Sequence, residues 1–191
     1  MRAVIEDIRA IYRNDPAARN IEFLLYPGFQ AIFFHRFIHF LWNLRVPFIP
    51  RLLSQISRFF TGLEIHPGAT IGRGFFVDHG AGVVIGETTV IGDKCVLFHN
   101  VTLGGTGKHQ GKRHPSLGNN VFIGTGATLL GPIEVGDNVK IGANTFVVMR
   151  DIPSDCSVVG TPARIIRRNG VPCDEDPPKT IDRLVHEGSF G

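Results

Sequence analysis

From Ile65 to Val159 the aliphatic residues recur at every sixth position, a period that neither an α-helix (about 3.6) nor an alternating strand (about 2) produces. Ile65, Ile71 and Val77 form one series, and Ile85, Ile91, Leu97 and Leu103 a second. Leu117, Ile123, Leu129, Val135, Ile141, Val147, Pro153 and Val159 form a third. Small or turn-forming residues follow, as in IHPGAT and IGRGFF. A six-residue repeat with one inward aliphatic predicts a parallel β-helix, in which three short strands make one triangular coil. On this spacing, residues 65–160 hold about five coils. A sandwich with Gly-rich turns would place its turn signals irregularly, roughly 8–12 residues apart, and does not produce such a register.

The register slips twice. Val77 to Ile85 takes eight residues instead of six, and Leu103 to Leu117 fourteen instead of twelve, so each slip is expected to extrude two residues. The first slip contains DHGAG, with Asp78 and His79; the second contains residues 104–116, GGTGKHQGKRHPS. Loops held on a rigid scaffold are where catalytic groups are commonly presented.

Before Ile65 the spacing is helical. Ile5, Ile8 and Tyr12 predict a first helix, and Asp15-Pro16 reads as an N-cap with proline at the first helical position, opening a second. A third helix follows the YPG turn at 26–28, runs through Trp42 and ends before Pro47 and Pro50; a short fourth covers Arg51 to Phe60. The expected division is an α-helical domain at 1–62, a β-helix at 63–165 carrying the loop 104–116, and a C-terminal tail at 166–191. The helices are expected to cover the first coil, the prism's flat faces to support self-association with cyclic symmetry, and the polar, Pro-rich NGVPCDEDPPKT of the tail to stay loose.

At 191 residues, 43% hydrophobic and 19% charged, the chain describes one soluble globular unit, and a net charge of +3 is too mild to name a nucleic-acid partner. The greasiest run, Phe29 to Leu44, carries His35, Arg36 and His39 and is shorter than a bilayer span of about 20 residues. It reads as a buried or interface helix, with a membrane-surface helix as the other reading. Cys95, Cys156 and Cys173 lack zinc or CxxC spacing. With a start that carries no secretory pattern, they point to free thiols in the cytoplasm.

Asp78-His79 alone reads as a turn or as a presented acid and base. Residues 104–116 read as a solvated excursion or as an anion site. Gly104, Gly105 and Gly107 expose backbone N–H groups, and Lys108, Lys112 and Arg113 add charge suited to a phosphorylated or anionic ligand. The Walker spacing GxxxxGK[ST] is absent.

The strings EIHPGATIGRGFFVDHGAGVVIGE, VTLGGTGK, KRHP and VGTPAR, with DIRAIYRNDPAAR and YPGFQAIFFHRFIHFLW before them, resemble the serine O-acetyltransferases among the hexapeptide-repeat acyltransferases. The similarity covers nearly all of residues 1–165. It implies a left-handed parallel β-helix, a homotrimer that in some members pairs into a dimer of trimers, and sites between neighbouring prisms. It also implies acetyl transfer from acetyl-CoA, as cosubstrate, to the L-serine hydroxyl, the first step of cysteine biosynthesis, with no metal. Carried over residue by residue, His79 is the general base and Glu64 its orienting acid. His114 is the second histidine, and Arg113 beside it would hold the serine carboxylate. Asp78 and Asp15 would bind the ammonium, although Asp15 without the resemblance reads first as a plain helix N-cap. Gly104, Gly105, Thr106, Gly107, Lys108 and Thr125 would lie along CoA.

The orienting position often carries Asp in the family, and Glu64 is one methylene longer. Long members bind O-acetylserine sulfhydrylase through a terminal isoleucine, which HEGSFG lacks. Competing readings are an acyltransferase for a sugar, antibiotic or homoserine acceptor, a zinc-dependent γ-class carbonic anhydrase, suggested by His109 and His114 five apart, and a non-catalytic scaffold. His35 and His39, four apart, resemble a metal pair only superficially, because Arg36 stands where HExxH has glutamate.

Overall fold

A computed structural model describes residues 2–107 and 110–186. Three helices come first, α1 (Arg2–Asn14), α2 (Pro27–Asn43) and α3 (Ile49–Thr61), with a short 3₁₀ turn at Asn20–Leu25. The strands that follow, numbered along the chain, are mostly two or three residues long and stack into three parallel sheets. The first side of the prism holds β1 (Glu64–Ile65), β4 (Val84–Ile85), β7 (Thr102–Gly104), β10 (Thr128–Leu130) and β13 (Phe146–Val148). The second side holds β2 (Thr70–Ile71), β5 (Val90–Ile91), β8 (Ser116–Leu117) and β11 (Glu134–Val135). The third holds β3 (Phe76–Val77), β6 (Val96–Leu97), β9 (Phe122–Ile123), β12 (Lys140–Ile141) and β14 (Cys156–Val159). We call the corners I (first to second side), II (second to third) and III (third to first).

The six-residue aliphatics from Ile65 to Val147 are buried together on the prism axis. The last two expected positions are not. Ile152 and Val158 point inward, pairing with Val135 and Ile141, whereas Val159 is 37% exposed and Pro153 half-buried. Met149 (φ 50°) turns corner I of the fifth coil at the level of Gly131 (φ 106°) one coil below, but one residue fewer follows before Ile152 pairs with Val135, so the phase advances by one. The second slip is also larger than expected. Leu103 lies on the first side and Leu117 on the second, so fourteen residues span a step that normally takes six, and eight leave the coil.

N–H groups at the strand starts donate to the next coil, Glu64 to the Val83 carbonyl (2.9 Å), Thr70 to Thr89 (3.0 Å) and Phe76 to Cys95 (3.0 Å), while corner N–H groups donate back, as Asn100 does to Ala81 (2.8 Å). The first coil has no strand beneath it, and α2 supplies donors to four of its carbonyls. His39 Nδ1 donates to Pro67 O (2.8 Å), His35 Nε2 to Ala69 O (3.1 Å), and Arg36 to Ile71 O (3.1 Å) and Gly72 O (2.7 Å). Arg36 also makes a bidentate pair with buried Asp7 of α1 (2.7 and 3.0 Å), whose Oδ1 accepts the Phe75 N–H (3.1 Å). The buried side of α1 is thus Asp7, Ala10 and Ile11, while Ile5 and Tyr12 of the expected stripe stay about half exposed.

No second helix opens at Asp15-Pro16. The Asp15 N–H still bonds Ile11 O (2.9 Å), as the last turn of α1, and the residue before a proline disfavours helix; the chain turns back with Ala18 N–H on Asp15 O (3.1 Å). The tail is not loose through residue 186. β15 (Arg164–Arg168) pairs antiparallel with β14 and then with β16 (Val171–Glu175), and α4 (Thr180–His186) is tied back by Arg183 to Asp151 (2.7 Å).

Removing Asp7 leaves the half of the pair that cannot leave the cap. Asp7→Ala should lower stability by about 3–5 kcal/mol, the cost of an unpaired buried charge, measured by urea unfolding. Burial, then the neighbouring His39, push His35 down to about 3, with Arg36 and His66 also facing it. The unfolded ring titrates near the ordinary value and binds a proton that the folded ring refuses, so stability falls as pH falls from about 6.5 toward 3. Between pH 7 and pH 5 the loss from this ring should be about 2 kcal/mol, and His35→Gln should flatten the dependence.

Candidate active site

Corner III of the first coil carries DHGAG. The two extra residues are absorbed in a tight bulge with positive φ at His79 (60°), Gly80 (79°) and Gly82 (72°). A histidine in that region is uncommon, and here it turns the ring outward, 71% exposed, with Nε2 3.8 Å from Asp78 Oδ1. The ring stands edge-on to His99 (centroids 5.7 Å apart), whose Nδ1 is buried without a hydrogen-bond partner among the described residues. His99 and Thr125 occupy successive levels of this corner, marked by Asn100 N–H on Ala81 O, Gly126 N–H on His99 O and Asn144 N–H on Thr125 O.

Glu64 opens β1 directly beneath Val84, at the same corner. Its carboxylate pairs with Arg58 (3.1 Å) and Arg51 (3.5 Å) of α3, and no hydrogen bond joins it to His79 among the described residues. Asp15 reaches this corner from the cap. Its Oδ1 accepts the Ala17 N–H (2.8 Å) and its Oδ2 the Tyr26 hydroxyl (2.7 Å). Gly28, two residues after Tyr26, packs against the Val77 carbonyl, which brings the Tyr26–Asp15 pair toward the strand that leads into Asp78.

Corner I carries the other half. Gly104 ends β7 and accepts the Gly131 N–H (3.0 Å); exposed Thr106 reaches Met149 Sδ (3.7 Å), and Gly105 and Gly107 flank it. Lys108 and His109 lie outside the described residues. Arg113 makes a short ion pair with Glu87, which holds the Glu87 carboxyl below its usual range. Lys112 donates to Thr88 O (2.7 Å).

Thr88 organises the chain's return to β8. Its hydroxyl oxygen accepts the N–H groups of Arg113 and His114 (both 3.1 Å) and donates to His114 Nδ1 (2.9 Å). With the Thr88 N–H also donating to Nδ1 (3.2 Å), the neutral tautomer carries its proton on Nε2. Burial first, then the Arg113 charge, lower the His114 pKa, so near pH 7 the ring is a neutral Nε2–H donor. Gly86 makes room for it: a Cβ there would lie 2.0 Å from the imidazole.

The first side of the prism separates corners I and III. At about 3.3 Å per residue along a strand, the six-residue side keeps the two groups apart within a chain. One prism therefore offers two half-sites, acids and an imidazole at corner III, Arg113, His114 and the glycines at corner I. Val84, Phe146 and Val148 lie exposed on the side between them.

The bacterial transferase hexapeptide (six repeats) family model matches residues 114–148. The serine acetyltransferase of Synechococcus elongatus is 59% identical over 175 residues, 91% of this chain and 71% of the relative. The chain belongs to the serine acetyltransferase family. The Helicobacter pylori serine acetyltransferase is 56% identical over 85% of this chain and 95% of its own length. The crystal structure of Neisseria gonorrhoeae serine acetyltransferase superposes with a TM-score of 0.84 at 42% identity, covering 87% of this chain and 64% of that one. This chain thus spans just under two thirds of the gonococcal structure. The family's fold is the left-handed parallel β-helix, against the strong right-handed preference of crossover connections.

Sequence reading of the family motifs missed Thr88, Glu87, Tyr26 and His99. The one signal for Thr88 is its place at corner I one coil below the loop, which a count of coil levels exposes. No group of three or more His, Cys, Asp or Glu side chains able to hold a metal is found among the described residues.

Thr88→Val keeps the shape and removes both bonding roles of the hydroxyl. The His114 pKa, followed by NMR, should rise toward the ordinary histidine value, and the protein should lose about 1–3 kcal/mol for two stranded N–H groups, measured by urea unfolding.

Proposed function

We propose that this chain is a serine O-acetyltransferase whose complete site forms between neighbouring prisms of a homotrimer. The observation that carries the reading is the split of chemistry across two corners. Acids Asp15 and Asp78 with His79 stand on one, and Arg113 with the neutral donor His114 on the other. A zwitterionic amino acid needs both signs of charge at once, and a neighbour's corner I brought against corner III supplies them.

In the proposed reaction Asp15 and Asp78 take the serine ammonium, and Arg113 and His114 of the adjoining chain take its carboxylate. The His79 imidazole removes the hydroxyl proton as the oxygen attacks the acetyl carbonyl of acetyl-CoA; this help is worth about 10² to 10⁴ in rate. A C–O bond forms, the tetrahedral intermediate collapses with cleavage of the C–S bond, and the proton held by His79 passes to the CoA sulfur. Glu64 is assigned to orient the imidazole and to stabilise its charged form. Gly104, Gly105, Thr106 and Gly107 are assigned to the thioester and pantetheine arm, with backbone N–H groups as oxyanion donors; Thr125, two levels above the bulge at corner III, is assigned to the same cosubstrate from the facing prism. The products are O-acetyl-L-serine and CoA.

The cap's exposed aromatic row, Phe33, Phe34, Phe37 and Phe60, supports pairing of trimers. Free thiols at Cys95, Cys156 and Cys173 suit the cytoplasm, and no helix among the described residues is long and apolar enough to cross a membrane. Contact with O-acetylserine sulfhydrylase would use the terminal residues, which lie outside the described ones.

Acetyl-CoA and L-serine should together release CoA, while homoserine and sugar acceptors release far less. His79→Ala should lower the rate about 10²- to 10⁴-fold and leave the trimer's mass by light scattering unchanged. An undiminished rate in that variant, or no serine-dependent release by the wild type, refutes the mechanism.

A further inference from the structure

The N-terminus of α2 sits on the strand that leads into the catalytic bulge. Pro27 and Gly28 form its first turn, Gln30 N–H closes the first helical bond on Tyr26 O (3.0 Å), and Gly28 lies so close to β3 that a Cβ would fall 2.2 Å from the Val77 carbonyl oxygen. Only a residue without a side chain permits that approach, and Val77 immediately precedes Asp78 and His79. Tyr26, the residue before Pro27, is thereby fixed beside the bulge. Its hydroxyl donates to Asp15 Oδ2 (2.7 Å), while Asp15 Oδ1 accepts the Ala17 N–H (2.8 Å).

Asp15 itself stands in the connection between α1 and the 3₁₀ turn, and nothing else in its immediate sequence aims it at corner III. A carboxylate has about four lone-pair sites. Two are used by Ala17 and Tyr26, and the remainder stay available to an ammonium group. We propose that Tyr26 is a positioning residue for substrate serine, holding the cap's Asp15 next to Asp78 so that the two carboxylates share the ammonium; this rests on the serine acetyltransferase reading above.

The hydrogen bond to Asp15 raises the phenol's pKa above its usual value, with burial and the charges of Asp15, Glu22 and Asp78 acting in the same direction. The hydroxyl therefore keeps its proton and remains a donor over the working range of an imidazole base. Tyr26 acts on binding of one substrate only. Its loss should appear in the serine KM, not in the chemical step or in the acetyl-CoA KM, because the bond it makes is present before the reaction and unchanged during it.

The test is a cycle of wild type, Tyr26→Phe, Asp15→Asn and the double variant, with kcat and both KM values read from CoA release. Tyr26→Phe should raise the serine KM about tenfold, the scale of one lost hydrogen bond to a charged group, with kcat and the acetyl-CoA KM within about twofold. In the Asp15→Asn background the same change should add nothing, since the phenol then has no carboxylate to hold. A serine KM unmoved in Tyr26→Phe, an equal rise in both KM values, or full additivity overturns the proposal while leaving the activity intact. A wild type that releases no CoA with serine removes the activity first and the proposal with it. An independent readout needs no turnover. The chain has two tyrosines, so phenolate absorbance against pH follows Tyr26 beside Tyr12. Asp15→Asn should shift one of the two titrations to lower pH, and an unchanged curve also overturns the proposal.

Discussion

The first coil has no strand beneath it, and that fixes what can cover it. The carbonyls of Pro67, Ala69, Ile71 and Gly72 and the Phe75 N–H all face the cap. A cover must satisfy them, mostly with donors, because an unsatisfied buried backbone group is costly. The three polar side chains on the inner face of α2, His35, Arg36 and His39, are all donors, and each lands on a first-coil carbonyl. Their spacing over one helical turn follows the carbonyls at Pro67, Ala69, Ile71 and Gly72. The metal-like pairing of His35 and His39 is therefore a consequence of capping a β-helix with an α-helix. Buried Asp7 then neutralises the partly exposed guanidinium.

A second constraint follows from the same stacking. Six residues per side is the amount that keeps every coil in register with its neighbours, so surplus chain can leave only at a corner. Two residues leave at corner III, where His79 accepts left-handed backbone, and eight at corner I. The two exits are on different edges of one side, so the chemistry is divided before any partner arrives. In the proposed trimer, neighbouring prisms abut along those edges and complete the site. The proposed function thus follows from where a solenoid can tolerate insertions.

These constraints also explain what could be read in advance. The aliphatic column from Ile65 to Val147 was legible because every member points to one axis, and the helices at 27–43 and 49–61 because proline and glycine punctuate them. The phase shift to Ile152 and Val158 was not, since apolar residues lie on both sides of it and Pro153 and Val159 continue the spacing by accident of composition. The size of the corner I excursion was hidden because periodicity counts sixes and does not say which side a residue occupies. Family motifs named Asp15, Asp78, His79, Arg113 and His114. The residues that orient them, Tyr26 eleven positions from Asp15 and Thr88 twenty-six from His114, become neighbours only after folding.

Glu64 shows how closely the cap and the chemistry are joined. In the free chain its carboxylate is divided between Arg51 and Arg58 of α3, both about half exposed. Pairs of that kind are worth about 0–1 kcal/mol each, because solvent screens them and long side chains must be ordered to make them. In the proposed mechanism, an imidazolium forming on His79 at the same corner is a charge that exists only while serine is being deprotonated. Holding Glu64 by weak, exposed pairs keeps it near the corner at little cost to its release. A strong buried pair such as Asp7 with Arg36 could not serve there, since breaking it would consume several kcal/mol during each turnover. The strength of each ion pair thus matches its place, rigid where the cap must cover the first coil and loose where a carboxylate must answer a transient charge.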